Sequence, residues 1–206
     1  MSKLSRRTVA SLAGLAALLV FASVGLAGGG KIKNGNFETG DFTGWNWDCS
    51  SCNGEWVVSN KKVTPFGQSW LGPMEKEYSA LSDFVFQDTV VLWQEVRIGS
   101  KKSKISFDLD WKNRAGVWCN ETDIDWTDPC NQQFQVFLQP YNDDPFDNST
   151  AVKTLVRSTG STPFQQGKTK YQFSGLPSGD WQIVFAAVAT ENVMNLGVDE
   201  VQQNNG

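Results

Sequence analysis

The chain has 206 residues, with 22 acidic and 18 basic side chains and no histidine. A net negative charge argues against binding to nucleic acid or to anionic membranes, because both carry negative charge themselves. The absence of histidine excludes Ser–His and Cys–His nucleophile pairs, histidine-ligated zinc and the most common general base. Composition therefore favours a non-enzymatic protein, and a glycosidase or lyase that works through carboxylates is the minor alternative.

The first 27 residues have the pattern of an export signal. Three basic residues precede the apolar run Val9–Leu26, and cleavage is expected after Ala27. The segment SRRTV also resembles a twin-arginine signal, which would imply bacterial export of a folded protein, while the ordinary export route stays open. An uncleaved membrane anchor is the other alternative. We expect a signal peptide at 1–27 and a single domain at 28–206.

The mature segment keeps 15 of the 18 basic side chains against all 22 acidic ones, a net charge of −7. No apolar stretch after the signal is long enough to span a bilayer. We therefore expect a protein without membrane insertion after cleavage. We expect it to be secreted or extracytoplasmic and bacterial, in the periplasm, at the cell surface or outside the cell.

Four cysteines, Cys49, Cys52, Cys119 and Cys130, predict two disulfides in an exported protein. Sequence leaves three pairings open. We favour the local pairs Cys49–Cys52 and Cys119–Cys130, because each pair brackets a polar, turn-rich loop. A zinc site made of all four thiolates is the alternative, although the second pair is spaced too widely for a typical site.

The mature chain reads as β-structure throughout. Apolar and polar residues alternate in several segments separated by Gly, Pro, Asn and Asp, and this pattern is typical of antiparallel sheets with one buried face. The clearest segments are 88–98, 103–111, 132–140 and 180–190. Seven or eight strands at this spacing indicate an all-β fold, an antiparallel β-sandwich rather than a barrel.

Nine tryptophans require an explanation. Trp111 and Trp181 share a strand face with aliphatic residues, and we expect both in the core. Trp118 and Trp126 lie instead in the polar loop 113–131. A flat ring among acids and amides suits a sugar, so we expect these two to bind ligand, with packing against a cystine as the alternative.

Polar residues on two strands form a second candidate ligand surface. Asp108 and Asp110 share one face of their strand, and Gln135, Phe137 and Gln139 share one face of another. On a concave sheet, such acceptors, amides and a ring would form a glycan-binding cleft. An ordinary solvated face is the alternative.

Several motifs in order carry a family resemblance: NGNFETGDFTGW, WQEVRI, KISFDLDWKN, FQVFL, YQFSGLPSGDWQIVFAA and LGVDEV. Together they resemble galactose-binding-like jelly-roll domains, especially carbohydrate-binding modules with a structural calcium, and exported bacterial proteins associated with exopolysaccharide. The resemblance implies a secreted, non-enzymatic β-sandwich that binds polysaccharide or matrix and is stabilised by calcium. Because this fold hosts many functions, a structural surface or matrix protein that self-associates or binds a surface protein without sugar is the alternative.

A calcium site is predicted where the two ends of the domain meet. In a sandwich the first and last strands often lie side by side, which would bring Glu38 near Asp199, with Asn36 close by. Two crowded carboxylates repel each other, and a calcium ion, which takes six to eight oxygen ligands, would remove that repulsion. The resemblance assigns the same role to Glu38 and Asp199. The alternative is that Glu38 caps a turn and Asp199 accepts backbone N–H bonds.

Overall fold

The computed structural model describes residues 30–69, 72–115, 123–127, 131–158, 166–191 and 194–204. The predicted signal peptide, Trp118 and the predicted Cys119–Cys130 disulfide lie outside these residues. Within them, no helix is both long enough and apolar enough to cross a bilayer.

The described residues form ten strands and one short 3-10 helix, Asn148–Thr150. The strands are β1 (Asn46–Cys49), β2 (Gly54–Ser59), β3 (Ser79–Phe84), β4 (Asp88–Ile98), β5 (Lys104–Asn113), β6 (Gln133–Pro140), β7 (Lys153–Arg157), β8 (Gln166–Phe173), β9 (Gly179–Ala189) and β10 (Met194–Asn204). The first sheet has the order β1-β4-β9-β6-β7 and the second has the order β2-β3-β10-β5-β8. All the strand pairs are antiparallel. The predicted antiparallel β-sandwich is confirmed.

The main core lies between the two sheets. On β5 the apolar residues predicted from alternation point inward, and Phe107 meets Phe185 of the opposite sheet edge to face, with 5.2 Å between ring centroids. Trp111 and Trp181 pack against this core at its border, as predicted. Burial of these rings and aliphatic chains is the main source of stability.

A second apolar cluster, which we call the outer core, covers the other side of the first sheet. Its fully buried members are Val91, Ile124, Phe137, Val184, Ala186 and Val188. Around them pack the partly buried side chains of Trp93, Trp126, Phe146 and Ala151. The central strand β9 is therefore buried on both faces, which explains why its sequence is nearly continuously apolar.

The two ends of the described chain meet, as expected. The backbone N–H of Val201 donates to Gly35 O at 2.7 Å. A Cβ atom at Gly35 would lie 1.9 Å from Val201 O, so this contact requires glycine. The opening motif is thereby fixed to the last strand.

A small loop between β1 and β2 contains the Cys49–Cys52 disulfide, so this predicted pair is confirmed. The buried carboxylate of Asp88 organises the same loop. It accepts hydrogen bonds of 2.9 Å from the backbone N–H groups of Ser51, Asn53 and Gly54. The disulfide and the carboxylate together hold the loop against β4.

Candidate functional site

Trp93 lies on the outer face of the first sheet, beside the outer core. Four residues on neighbouring strands are consecutive register partners across the sheet: Asn46, Trp93, Val184 and Phe137. The ring of Trp93 is only partly buried. Half-buried tryptophan at a sheet surface offers a flat apolar area with a fixed orientation.

A cavity of about 320 Å³ adjoins this face at the β1–β4 margin. It is lined mainly by polar side chains and by backbone of the opening segment: Gly30, Lys31, Lys33, Gly44, Asn46, Gln94 and Glu95. Gln94 fixes one wall, because its amide accepts from Lys33 N at 2.6 Å and donates to Lys33 O at 2.9 Å. A carboxylate, amides and ammonium groups therefore line this cavity, and two of its lining residues, Asn46 and Glu95, adjoin Trp93 in the sheet.

Glu95 lines the cavity and also contacts Tyr141 at its border. It lies two residues after Trp93 on the same strand face, since side chains alternate along a strand. The negative charge of Glu95 raises the pKa of Tyr141, and the Tyr141 hydroxyl is hydrogen-bonded to it. The face thus presents a second aromatic residue with a hydroxyl next to a carboxylate.

The structure separates the two halves of the predicted polar surface. Asp108 and Asp110 lie on β5 of the second sheet, whereas Gln135, Phe137 and Gln139 lie on β6 of the first sheet. Both sets point away from the main core. The prediction of one shared surface was wrong, because the two strands belong to opposite layers and their outer faces lie on opposite sides of the molecule.

The β6 residues are also not open to solvent. Phe137 and Gln139 are 0% exposed and Gln135 is 1% exposed. Gln139 donates to Asp144 O at 2.9 Å, and Gln135 accepts from the amide of Asn148 at 3.1 Å. These glutamines hold the 141–152 segment against the sheet instead of forming an open face, so the predicted exposure was wrong.

The predicted ligand ring Trp126 is partly buried at the edge of the outer core. Its neighbour Ile124 is buried, and Ile124 O accepts a 2.6 Å bond from the Thr89 hydroxyl of β4. The segment 123–127 therefore lies across the same outer face as Trp93. The role of Trp126 in ligand binding remains a prediction, as does that of Trp118.

Asp108 and Asp110 are nearly buried on the outer face of the second sheet, 4% and 1% exposed. Asp108 is paired with Lys170 of the neighbouring strand at 3.4 Å. Burial raises the pKa of Asp110 to about 6, although the charge of Lys168 opposes the shift. Neither carboxylate faces the Trp93 cavity.

The predicted metal ligands Glu38 and Asp199 are held by one short segment. Glu38 Oε1 accepts from the backbone N–H groups of Glu77 and Tyr78 at 3.1 and 3.0 Å. Asp199 accepts from the N–H of Glu75 at 3.0 Å and from its own neighbour in sequence at 2.7 Å. The backbone hydrogen bonds given above as the alternative to calcium are therefore present.

The surroundings of Asp199 are nonetheless strongly negative. Asp199 is 0% exposed, and its pKa is raised to about 7, chiefly by burial and further by the charges of Glu200 and Glu38. The amide oxygen of Asn36 is engaged by Glu38 N at 3.5 Å. No cluster of three or more acidic, cysteine or histidine side chains suited to a metal occurs in the described part of the chain. Two carboxylates fit a calcium site only if backbone carbonyls, the Asn36 amide or water complete it.

Comparison with known proteins identifies the fold. No family model matches the chain, and no curated protein matches it. Among solved structures, the K2 cleaved adhesin domain of Lys-gingipain is similar, with a TM-score of 0.54, 10% identity, and coverage of 83% of this chain and 96% of that chain. The K3 cleaved adhesin domain of Lys-gingipain from Porphyromonas gingivalis w83 has a TM-score of 0.53, 15% identity, and coverage of 86% and 100%. A Family 16 Carbohydrate Binding Module-2 has a TM-score of 0.50, 14% identity, and coverage of 84% and 98%.

The chain has the antiparallel β-sandwich fold of these solved structures, which is consistent with the galactose-binding-like jelly roll that its sequence motifs resemble. The resemblance found in the sequence is thereby confirmed. At these identities the likeness shows the fold alone, so the ligand must be argued from this chain's own residues.

Sequence reasoning missed one open group of polar and aromatic residues, Asn46, Trp93 and Glu95. The alternation in 88–98 does place Trp93 and Glu95 on one strand face. Alternation does not show that Asn46 and the opening segment lie beside that face, because their position depends on contacts distant in sequence.

Proposed function

We propose that this protein is a secreted, non-enzymatic domain that binds polysaccharide, either environmental or from the cell's own matrix, on the outer face of the first sheet. The observation that carries the proposal is the partly buried Trp93 ring, whose neighbours in the sheet, Asn46 and Glu95, line a polar cavity of about 320 Å³. Sugars present apolar C–H faces that stack on aromatic rings, and hydroxyls that bond to carboxylates and amides. Asn46 and Glu95 supply such groups at the cavity.

Trp126 extends the surface. Like Trp93, it packs partly buried against the outer core, so the two rings border the same face. A polysaccharide that lies across the face would contact both, and Trp118 of the same loop is a further candidate outside the described residues. The name of one structural neighbour, a carbohydrate-binding module, agrees with this proposal.

The burial of Asp108 and Asp110 supports a binding domain over an enzyme. Asp110 is 1% exposed, and Asp108 is 4% exposed and paired with Lys170. Carboxylates that hydrolyse a glycoside must reach the glycosidic bond. This pair, the acid pair considered as a catalytic alternative, is covered.

A glycan array on the mature chain tests the proposed function. We expect binding to at least one polysaccharide, weakened about tenfold or more in Trp93→Ala by loss of the stacking surface. Trp47→Ala is the matched control, because Trp47 is 37% exposed and lies on β1 next to Asn46 but with the opposite orientation. Equal loss in both variants, or no binding by the parent chain, would overturn the proposal.

Calcium is the structural cofactor that we propose for Glu38, Asp199 and Asn36. The support is the buried Asp199 carboxylate beside the charges of Glu38 and Glu200, a grouping that a divalent cation would neutralise. Thermal unfolding with added calcium and with chelator tests the proposal. We expect chelator to lower the melting temperature of the parent chain, and Glu38→Gln to abolish the difference, while Glu55→Gln on β2 keeps it. An unchanged melting temperature in chelator would contradict the proposal.

A structural or matrix role without sugar remains a second candidate, favoured by one exposed apolar site. Phe86 is 70% exposed and Val85 is 47% exposed in the β3–β4 turn. Both backbone N–H groups of this turn donate to Asn53 O, which fixes the turn beside the disulfide loop. Self-association that disappears in Phe86→Ser, together with a blank glycan array, would favour this role.

A further inference from the structure

Arg157 ends the edge strand β7 and points to the same outer face as Trp93. Its register partner is Gln135, whose side chain lies on that face. The Nε and Nη2 atoms of Arg157 are buried, and neither has a hydrogen-bond partner. Arg157 as a whole keeps partial exposure to solvent, and a ligand reaches the buried edge of its guanidinium by displacing the groups that cover it.

These two nitrogens are the donors on one edge of the guanidinium. Their N–H bonds run side by side, at the spacing of the two oxygens of a carboxylate. The guanidinium stays charged at any physiological pH, so it cannot avoid the cost of burial by losing a proton. Buried donors without partners are costly, and a parallel pair of them fits one planar oxyanion.

The described residues supply no acid for this edge. The ion pairs found among them are Lys76–Glu200, Arg97–Asp180 and Lys170–Asp108. The register partner of Arg157 is a neutral amide, Gln135, whose oxygen accepts from the amide of Asn148 at 3.1 Å. The contrast with Arg97 is informative, since that arginine lies on the same outer face and has its carboxylate partner at 3.7 Å.

We propose that Arg157 binds a carboxylate of the ligand, so that the polysaccharide bound on this face contains uronic acid units. This inference rests on the proposed function. Cationic groups then border the face on both sides, with Lys31 and Lys33 at the cavity beside β4 and Arg157 on β7. The β1 and β7 margins of the sheet are four strand spacings apart, about 19 Å, and an extended chain of several sugar units that runs over the covering segments bridges that width.

The long-range repulsion between an acidic protein and an acidic polysaccharide does not prevent such binding. Repulsion between exposed charges is screened beyond about 8 Å at physiological salt. A bidentate pair at a shielded guanidinium acts at contact distance and is screened much less.

The first experiment compares two polymers that differ only in charge: polygalacturonate and the same polymer with its carboxyl groups reduced. Affinity electrophoresis of the mature chain should show retardation about tenfold stronger with polygalacturonate. Arg157→Gln and Arg157→Lys should both lose this preference, because lysine keeps the charge but lacks the parallel donors. Arg97→Gln, the matched control, should keep it.

The second experiment is independent of polymer binding. The melting temperature is measured in sodium galacturonate and in sodium chloride of equal ionic strength with galactose. We expect galacturonate to raise the melting temperature of the parent chain, and to have no such effect in Arg157→Gln.

The outcomes separate the two proposals. Retardation by both polymers to the same extent, with no galacturonate effect, overturns the acidic ligand and leaves polysaccharide binding standing. A galacturonate effect that needs Arg157, with no retardation by any polymer, supports the carboxylate site and counts against polysaccharide binding. If no polymer retards the chain and galacturonate has no effect on the melting temperature, both proposals are overturned. A loss of stability in Glu121→Gln or Asp128→Asn as large as in Arg157→Gln, with no galacturonate effect, would identify a carboxylate of the chain itself as the occupant and overturn the inference.

Discussion

The outer faces of the two sheets are both covered by irregular segments, but by different chemistry. On the first sheet, neutral amides and apolar side chains hold the cover: Gln182 donates to Asp143 O at 2.7 Å, and Phe137 is fully buried in the outer core. On the second sheet, carboxylates hold it: Asp83 accepts from Phe66 N at 2.9 Å and Asp199 accepts from Glu75 N at 3.0 Å.

This difference determines which sheet makes the stability depend on pH. Amides do not titrate, so the hydrogen bonds by which Gln139 and Gln182 hold the cover of the first sheet do not depend on pH. Buried carboxylates change charge within the range set by their raised pKa values, so stability changes with pH through the second sheet. We therefore place ligand binding on the outer face of the first sheet and the pH-dependent part of the stability on the outer face of the second sheet.

The largest effect is expected from removing the centre of the outer core. Phe137→Ala should lower the free energy of unfolding by about 3–5 kcal/mol, because it leaves a cavity under the covering segments. Its cross-strand partner Thr154 is exposed, and Thr154→Ala should change stability by less than about 0.5 kcal/mol. Chemical denaturation measures both. A small effect of Phe137→Ala would show that the outer face of the first sheet carries no true core.

A large, pH-dependent effect is expected at Asp110 on the second sheet. Burial raises its pKa from 3.8 to about 6, while the facing Lys168 opposes the shift and the neighbours Asp108 and Lys112 share its strand face. A raised pKa means that the folded state binds the proton more tightly. The stability contribution is therefore complete below pH 3.8 and falls as pH rises to about 6.

Asp110→Asn removes this dependence, because asparagine does not titrate. The free energy of unfolding of the variant, relative to the parent chain, should rise by about 2 kcal/mol between about pH 4 and about pH 7, since each pKa unit corresponds to 1.36 kcal/mol and part of the shift lies below pH 4. Denaturation at the two pH values measures the difference. If the difference in unfolding free energy between the variant and the parent chain were the same at both pH values, burial would not raise the pKa of Asp110.

A smaller and pH-independent effect is expected at Gln182 on the first sheet. Gln182→Ala removes the bond to Asp143 O and should cost about 1–2 kcal/mol. The loss should be equal at about pH 4 and about pH 7, because no charge is involved. If the loss changed with pH as it does at Asp110, the contrast between the two faces would fail.

The sequence predicted the strands well because a strand buried on one side shows alternating apolar and polar residues over a short stretch of sequence. Alternation on β5 placed Phe107 inside and Asp108 outside, and the separation of three between Cys49 and Cys52 indicated a local disulfide. The opening motif and the closing LGVDEV correctly indicated that the two ends meet.

Alternation cannot indicate which sheet a strand joins, because that depends on partners distant in sequence. For this reason Asp110 and Gln139 were assigned to one surface although they lie on opposite sides of the sandwich. The burial of Phe137 was missed for a related reason. Its strand reads as half polar, and its outer side becomes a core only when the segments around Ile124 and Phe146 fold over it.

The most direct test of the central claim, that ligand binds on the outer face of the first sheet, is a titration of ¹⁵N-labelled mature chain with the bound polysaccharide fragment. The indole N–H signals of Trp93 and Trp126 should shift progressively, while that of Trp56, 1% exposed in the main core, stays in place. Shifts restricted to the outer face of the second sheet, around Asp108 and Lys170, would contradict the account.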